Sequence, residues 1–331
     1  MQSLYLKKQY LFFSIMLIML VSMFAQAQEG LVSSDIQFSL HPKYPGPNES
    51  VTVRARSDSF DLNTTSVTWL VNGVAVKSGK AISEISITTG SLGSPTTVTM
   101  SANPAGLRQY KNTITIWPST IDVLWYAHTY THPGYRGKAL PVRGSTVTIV
   151  ALPTLRTSSG TLDTKALFYE WRLENKLLPA SSGKGKNTIS LPVTQNSLPL
   201  RVSVLVHDER SLVSQEKRIS ITPHIPHILF YELHPLRGPL FQMAIQNIYT
   251  LGAGEERQFI ASPLFSSGSP RSLNFQWNVD TEKLPPGADK PDILSFSAEQ
   301  GSSAQKTISL IITNPANIFE EIRKSFRIHV Q

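Results

Sequence analysis

The sequence predicts an all-β chain made of tandem β-sandwiches, and three observations predict it. A strand of one pattern is written three times, as Ser66-Val67-Thr68-Trp69-Leu70-Val71-Asn72-Gly73, Leu167–Asn175 around Trp171, and Leu273–Asp280 around Trp277. The three tryptophans are 102 and 106 residues apart, about one sandwich domain each, and a tryptophan on a central strand fills the space between two sheets. Short β-rich runs surround each copy, and clusters of Gly, Pro, Asn and Ser separate them, which is the spacing of sandwiches and not of βαβ units. The chain of 331 residues has no cysteine, so no disulfide framework can substitute for hydrophobic cores, and each domain must be near 100 residues.

Residues 1–27 read as a secretory signal peptide. Lys7 and Lys8 give a positive start, Leu11 to Phe24 an apolar stretch of 14 residues, and Ala25-Gln26-Ala27 a small-x-small cleavage pattern. Fourteen residues fall short of the roughly 20 that span a bilayer, so cleavage is expected in place of anchoring. The mature chain then starts at Gln28, with 29 basic and 23 acidic residues and no transmembrane segment. Its localisation is exported: cell surface, periplasm or extracellular. A net charge of +6 there favours anionic envelope polymers or lipid headgroups. Nucleic acid is not expected as a partner, because the basic residues are scattered singly and not interleaved with aromatics.

Three domains are expected, at 28–118, 119–222 and 223–331. In the first, strands are read at Ile36–Leu40, Val51–Arg56, Val67–Val71, Ile85–Thr88, Thr96–Ser101 and Asn112–Ile116. Val51, Val53 and Ala55 alternate with polar residues and should face a core. Asn72-Gly73 marks a two-residue type I′ hairpin leading to Val74–Lys77, because that turn needs positive φ at both positions. The second domain repeats the order with Ser145–Ala151, Asn187–Leu191, Leu200–Val206 and Lys217–Ile221. The third, more divergent, places strands at Arg257–Ala261, Phe275–Val279, Thr307–Ile312 and Ser325–Val330. His41-Pro42-Lys43-Tyr44-Pro45-Gly46, His132-Pro133-Gly134-Tyr135-Arg136-Gly137 and His234-Pro235-Leu236-Arg237-Gly238 each follow a first strand. They read as bends where that strand changes sheet.

The tryptophan strands, with Trp69-Leu70-Val71-Asn72-Gly73 and Trp171-Arg172-Leu173-Glu174-Asn175 in third-strand position, resemble the tandem immunoglobulin-like and PKD-type domains of bacterial cell-surface or exported proteins. The resemblance covers 30–222 closely and 223–331 more faintly. The Phe-Gly-Asp part of the PKD-type run and the cysteine pair of antibody domains are both absent here, so immunoglobulin-like is the label adopted. The resemblance implies a structural, adhesion or assembly role in the cell envelope, without catalysis.

The richest candidate binding element is the connection Tyr126–Arg143. Tyr126, Tyr130, Tyr135, Arg136 and Lys138 are its candidate contact residues, with His128, His132 and Arg143 beside them. Tyrosine and arginine anchor interfaces, and tyrosine costs little entropy to order. The structural alternative is a loop folded over the sandwich with its tyrosines half-buried. Trp69, Trp171 and Trp277 are expected to be core. A second functional reading is a carbohydrate-binding module using Tyr126, Tyr130, Tyr135, Trp117 and Trp125 as stacking surfaces. The expected partner is an envelope protein or a glycan. No cofactor and no metal is expected, since His128, His132, His224, His227 and His234 sit on proline-broken backbone without a converging scaffold. His207-Asp208-Glu209-Arg210 reads as a polar hairpin loop and not as an acid/base pair.

Overall fold

The computed structural model describes residues 35–157, 159–195, 198–285, 289–301 and 304–331; the signal-peptide reading of 1–27 lies outside them. They form two compact units: 35–43, Ser50–Thr88 and Thr96–Ile116 in the first, and Tyr44–Glu49, Thr89–Pro95 and Trp117–Gln331 in the second.

In the first unit a three-stranded antiparallel sheet (Ile36–His41, Ser50–Ser57, Glu84–Thr88, in that order) opposes a four-stranded one ordered Val74–Lys80, Ser66–Val71, Thr96–Asn103, Tyr110–Ile116. Alternation along Ser50–Ser57 sends Val51, Val53 and Ala55 inward, where they meet Trp69, Val98, Met100 and Ala102. The predicted hairpin is present, with Asn72 at φ 50° and Gly73 at φ 82°.

The second unit holds two further sheet pairs, each with its own hydrophobic core. The first pair repeats the order just described. Thr120–Ala127, Thr146–Thr154 and Thr188–Pro192 form one sheet, and Lys176–Leu177, Phe168–Leu173, Leu200–His207 and Ser214–Ile221 the other. The second pair adds to it. Gly238–Ile245 joins His227–His234, Glu256–Leu264 and Ile293–Ser297. On the opposing sheet Ile248–Leu251 runs parallel to the long last strand Asn317–Val330. This extra hairpin explains why the third copy looked looser in sequence.

One device is repeated at the third residue after each tryptophan. Asn72, Glu174 and Asp280 all have positive φ (50°, 49° and 54°). Each uses a side-chain oxygen to accept the backbone N–H of the facing strand: Thr97 at 2.9 Å, Arg201 at 3.2 Å and Thr307 at 2.9 Å. Local side-chain capping of this kind holds the hairpin in register with its neighbour.

The His-Pro segments do not carry a strand from one sheet to the other. Ile36–His41 pairs with Ser50–Ser57 in its own sheet, and His132 lies in the connection between Thr120–Ala127 and Thr146–Thr154 of one sheet. His234 pairs with Gly238 as the turn of a hairpin within one sheet. Proline ends the strand because it has no N–H to give, and the chain then turns back onto the sheet it left. In the last copy the chain passes to the opposing sheet between Ile245 and Ile248, where the sequence has no such motif, and in the copy before it Val142 makes a single parallel bridge to His224 beyond the segment.

Candidate functional site

The Tyr126–Arg143 connection starts at the end of the edge strand Thr120–Ala127. Tyr126 is exposed there, its ring 5.0 Å from that of His128, whose Nε2 lies 2.9 Å from Thr148 Oγ1. From Tyr130 onward the chain is tied to the last sheet pair. The Tyr130 N–H donates to Ser266 O at 2.8 Å, and Tyr130 O accepts the Phe265 N–H at 2.7 Å. Burial, with the Asp292 carboxylate second, raises the Tyr130 phenol above its ordinary value.

His132 is the most buried polar residue of the segment, 6% exposed. Its ring stacks on Phe241 at 4.4 Å, and Tyr231 and Tyr135 stand edge-on at 5.7 and 6.2 Å. Nδ1 accepts the Gly134 N–H at 3.1 Å, and Nε2 lies 3.4 Å from the Tyr231 hydroxyl. Burial lowers the His132 value below the ordinary imidazole, so the folded protein holds it neutral. The unfolded chain binds this proton more readily. The contribution is therefore fully present above about pH 6.5, the free imidazole value, and is lost as pH falls from there through the lowered folded value. The stability of the second unit should fall between pH 7.5 and pH 5, and His132→Phe should flatten that slope. Denaturant midpoints at the two pH values measure it, and an equal slope in the variant would assign the dependence elsewhere.

Tyr135 meets Phe265 edge-on at 5.5 Å, and its hydroxyl donates to Lys138 O at 3.3 Å. With Leu140 and Leu229 it packs around a small core of Val142, Leu264 and Phe265. Pro141 O accepts the His224 N–H at 2.7 Å; the Arg143 guanidinium lies 3.7 Å from the Phe319 ring centre; and Asn317 Nδ2 donates to Arg143 O at 3.0 Å. Asn317 belongs to a polar cluster around the buried Glu320 carboxylate. Ser267 N–H donates to its Oε1 and Asn314 Nδ2 to its Oε2, each at 2.8 Å, and the Ser267 hydroxyl donates to Oε2 as well.

The segment is thus a joint between the two sheet pairs of the second unit. It engages Tyr130, His132, Tyr135, Val142 and Arg143, and leaves Tyr126, Arg136 and Lys138 exposed. Lys138 places Nζ 3.0 Å over the Trp125 ring, where desolvation lowers its ammonium value. Trp117 and Trp125 are half-buried against the neighbouring core. The partners Phe265, Phe241, Tyr231 and Glu320 were not legible in sequence, because they stand about 100 to 180 residues away with no local pattern. Among the described residues no group of three His, Asp or Glu converges to hold a metal ion. Asp208 of the His207–Arg210 run accepts the Val213 N–H at 2.8 Å and so closes its own hairpin loop.

The tryptophans carry a further regularity. Each indole N–H donates to a backbone carbonyl 13 to 15 residues on: Trp69 to Ile82 at 3.0 Å, Trp171 to Lys186 at 2.8 Å, and Trp277 to Pro291 at 3.0 Å. A buried third-strand tryptophan, within first, second and fifth strands facing third, sixth and seventh, is the arrangement of the immunoglobulin sandwich. These are tandem immunoglobulin-like domains.

No family model and no curated protein matches the chain. Among solved structures it is similar to the three N-terminal domains of the bacteriophage RB49 highly immunogenic outer capsid protein (Hoc). The identity is 11% over 90% of this chain and 98% of that one, with a TM-score of 0.27. It is also similar to the central fibronectin-III array of RIM-binding protein, at 13% identity over 89% and 96%, TM-score 0.31. A third is the Bacteroides ovatus mixed-linkage glucan utilization locus protein SGBP-B in complex with a mixed-linkage heptasaccharide, at 9% identity over 89% and 66%, TM-score 0.23. At these values the likenesses add nothing to the strand order, on which the immunoglobulin-like fold rests.

Proposed function

We propose that the protein is a non-catalytic, exported tandem-domain component of the cell envelope that acts in structure, adhesion or assembly. The observation that carries this reading is the joint. A segment rich in tyrosine, histidine and arginine is spent on fixing one immunoglobulin-like sandwich against the next, through an aromatic cage, a small apolar core and a buried polar cluster. Fixed domain geometry is useful to a spacer or an assembly part, which must hold its ends at a set separation, and gives no advantage to domains on a loose tether. Among the described residues no helix is long and apolar enough to cross a membrane. Retention at an envelope would then depend on a partner protein or a glycan. Cross-linking of the tagged full chain in fractionated cells tests this. Recovery in a high-mass envelope complex supports it, and a monomer in the medium or the soluble exported fraction with nothing attached overturns it.

The second reading is saccharide binding. Tyr126 is the tyrosine that keeps it open, since its ring is exposed beside Leu124 while Tyr130 and Tyr135 are engaged in the joint.

A further inference from the structure

The outer face of the sheet Phe168–Leu173, Leu200–His207, Ser214–Ile221 carries an ordered set of guanidinium groups. Cross-strand register places Arg172, Ser203 and Arg218 in one row, and Arg201 opposite Ser220 in a parallel row two residues away. Alternate residues of a strand share a face, so Arg201 and Ser203 project on the same side, with Arg218 and Ser220 facing them from the next strand. Between them runs an open groove of about 400 Å³, lined by Asn175, Arg201, Ser203, Arg218 and Ser220 together with Val202 and Ile219.

The lining of this groove is rich in donors, while Glu170, Glu174 and Glu216 stand beside it as partners of Arg172, Arg201 and Arg218. Each of its polar side chains can donate a hydrogen bond, and none is a carboxylate. The side chains of Asn175, Ser203 and Ser220 make no hydrogen bond among the described residues. The two arginines keep spare donors. Glu216 takes Nε and Nη2 of Arg218 at 3.0 and 3.3 Å, and Glu174 stands 3.8 Å from Arg201. Both guanidiniums remain open to solvent, with side chains 74% and 75% exposed.

We propose that this groove binds the carboxylate, sulfate or phosphate groups of an acidic polysaccharide. Arginine presents paired N–H groups that match such oxyanions, and the serine hydroxyls and the asparagine amide supply the neutral donors a saccharide needs beside them. The groove is open to solvent and lined from two neighbouring strands, so an extended chain can lie against it. Exposed ion pairs are individually weak, and a polymer offering many charged groups gains through multivalency what one group cannot. No aromatic ring lines the groove, which disfavours the base stacking that single-stranded nucleic acid uses. The proposal rests on the saccharide reading but assigns it to arginines and not to tyrosines.

The test uses the full chain in affinity electrophoresis through polygalacturonate, sulfated dextran and neutral dextran. Retardation is expected in one or both acidic polymers and not in the neutral one, weakening as salt is raised. Arg201→Gln/Arg218→Gln is expected to weaken it about tenfold, while Tyr126→Ala leaves it unchanged. Both arginines are exposed, and tryptophan fluorescence checks that the fold persists. Several results would overturn the proposal: no retardation in either acidic polymer, no effect of the arginine pair, or an equal loss with Lys77→Gln/Lys80→Gln, which would mean diffuse charge. Equal retention of single-stranded DNA would overturn it too. Retention in neutral dextran lost in Tyr126→Ala alone would return the saccharide reading to stacking, independently of the envelope-complex experiment.

Discussion

Trp171→Ala is expected to cost about 3–5 kcal/mol, the range for truncating a large buried aromatic. The side chain is fully buried between Val202, Val204 and the residues of the opposing sheet, and its indole N–H is satisfied by Lys186 O at 2.8 Å. Alanine would leave both a cavity and an unpaired carbonyl. Against a typical total of about 5–15 kcal/mol, that loss removes at least about a fifth of the stability of this sandwich. Trp171→Phe keeps most of the volume and removes only the donor, so it should lose about 1–3 kcal/mol. Equilibrium urea unfolding followed by circular dichroism orders the three proteins. Wild-type-like stability of the alanine variant would show that the tryptophan fills space that neighbours can close without it.

The parts of the fold that were legible in sequence are those governed by local chemistry. Alternation placed Val51, Val53 and Ala55 inward, and the dipeptide Asn72-Gly73 named its own turn, since both residues need positive φ. The equivalent turn at Glu174-Asn175 has φ of 49° and 66° without any glycine, so its sequence is silent. There the conformation is held from outside, by the Glu174 carboxylate on the Arg201 N–H and the backbone pairing of the same two residues. The His-Pro segments show the opposite failure. Proline did end the strand, as its chemistry requires, but which sheet the chain joins next depends on partners that no local residue encodes. The Tyr126–Arg143 segment was conspicuous by composition, yet composition does not separate an aromatic side chain that greets a partner from one that packs on the next domain. His132 finds Phe241 and Tyr231, and Tyr135 finds Phe265, across about 100 or more residues of chain. The arginine groove was invisible for the same reason: Arg201 and Arg218 come to one face only through strand register.

The joint itself should yield to one substitution. Phe265 has φ of 62°, a region that costs a bulky residue about 1–3 kcal/mol, and something must hold it there. Its ring lies between Tyr135 at 5.5 Å and His227 at 5.4 Å, it is 4% exposed, and its N–H is bonded to Tyr130 O. Phe265→Ala keeps the strained backbone and removes the ring that stabilises it, so the contact between the two sheet pairs should weaken by about 3–5 kcal/mol. The wild-type second unit is expected to unfold in one calorimetric transition. The alanine variant should show two, with new proteolytic cleavage near Pro223–Pro226 and undisturbed cores around Trp171 and Trp277. Phe265→Gly loses the same ring but relaxes the backbone, and should recover about 1 kcal/mol relative to alanine. Glycine and alanine variants of equal stability would mean that the φ value stores no strain, and a single unchanged transition in both would place the coupling in the Glu320 cluster instead.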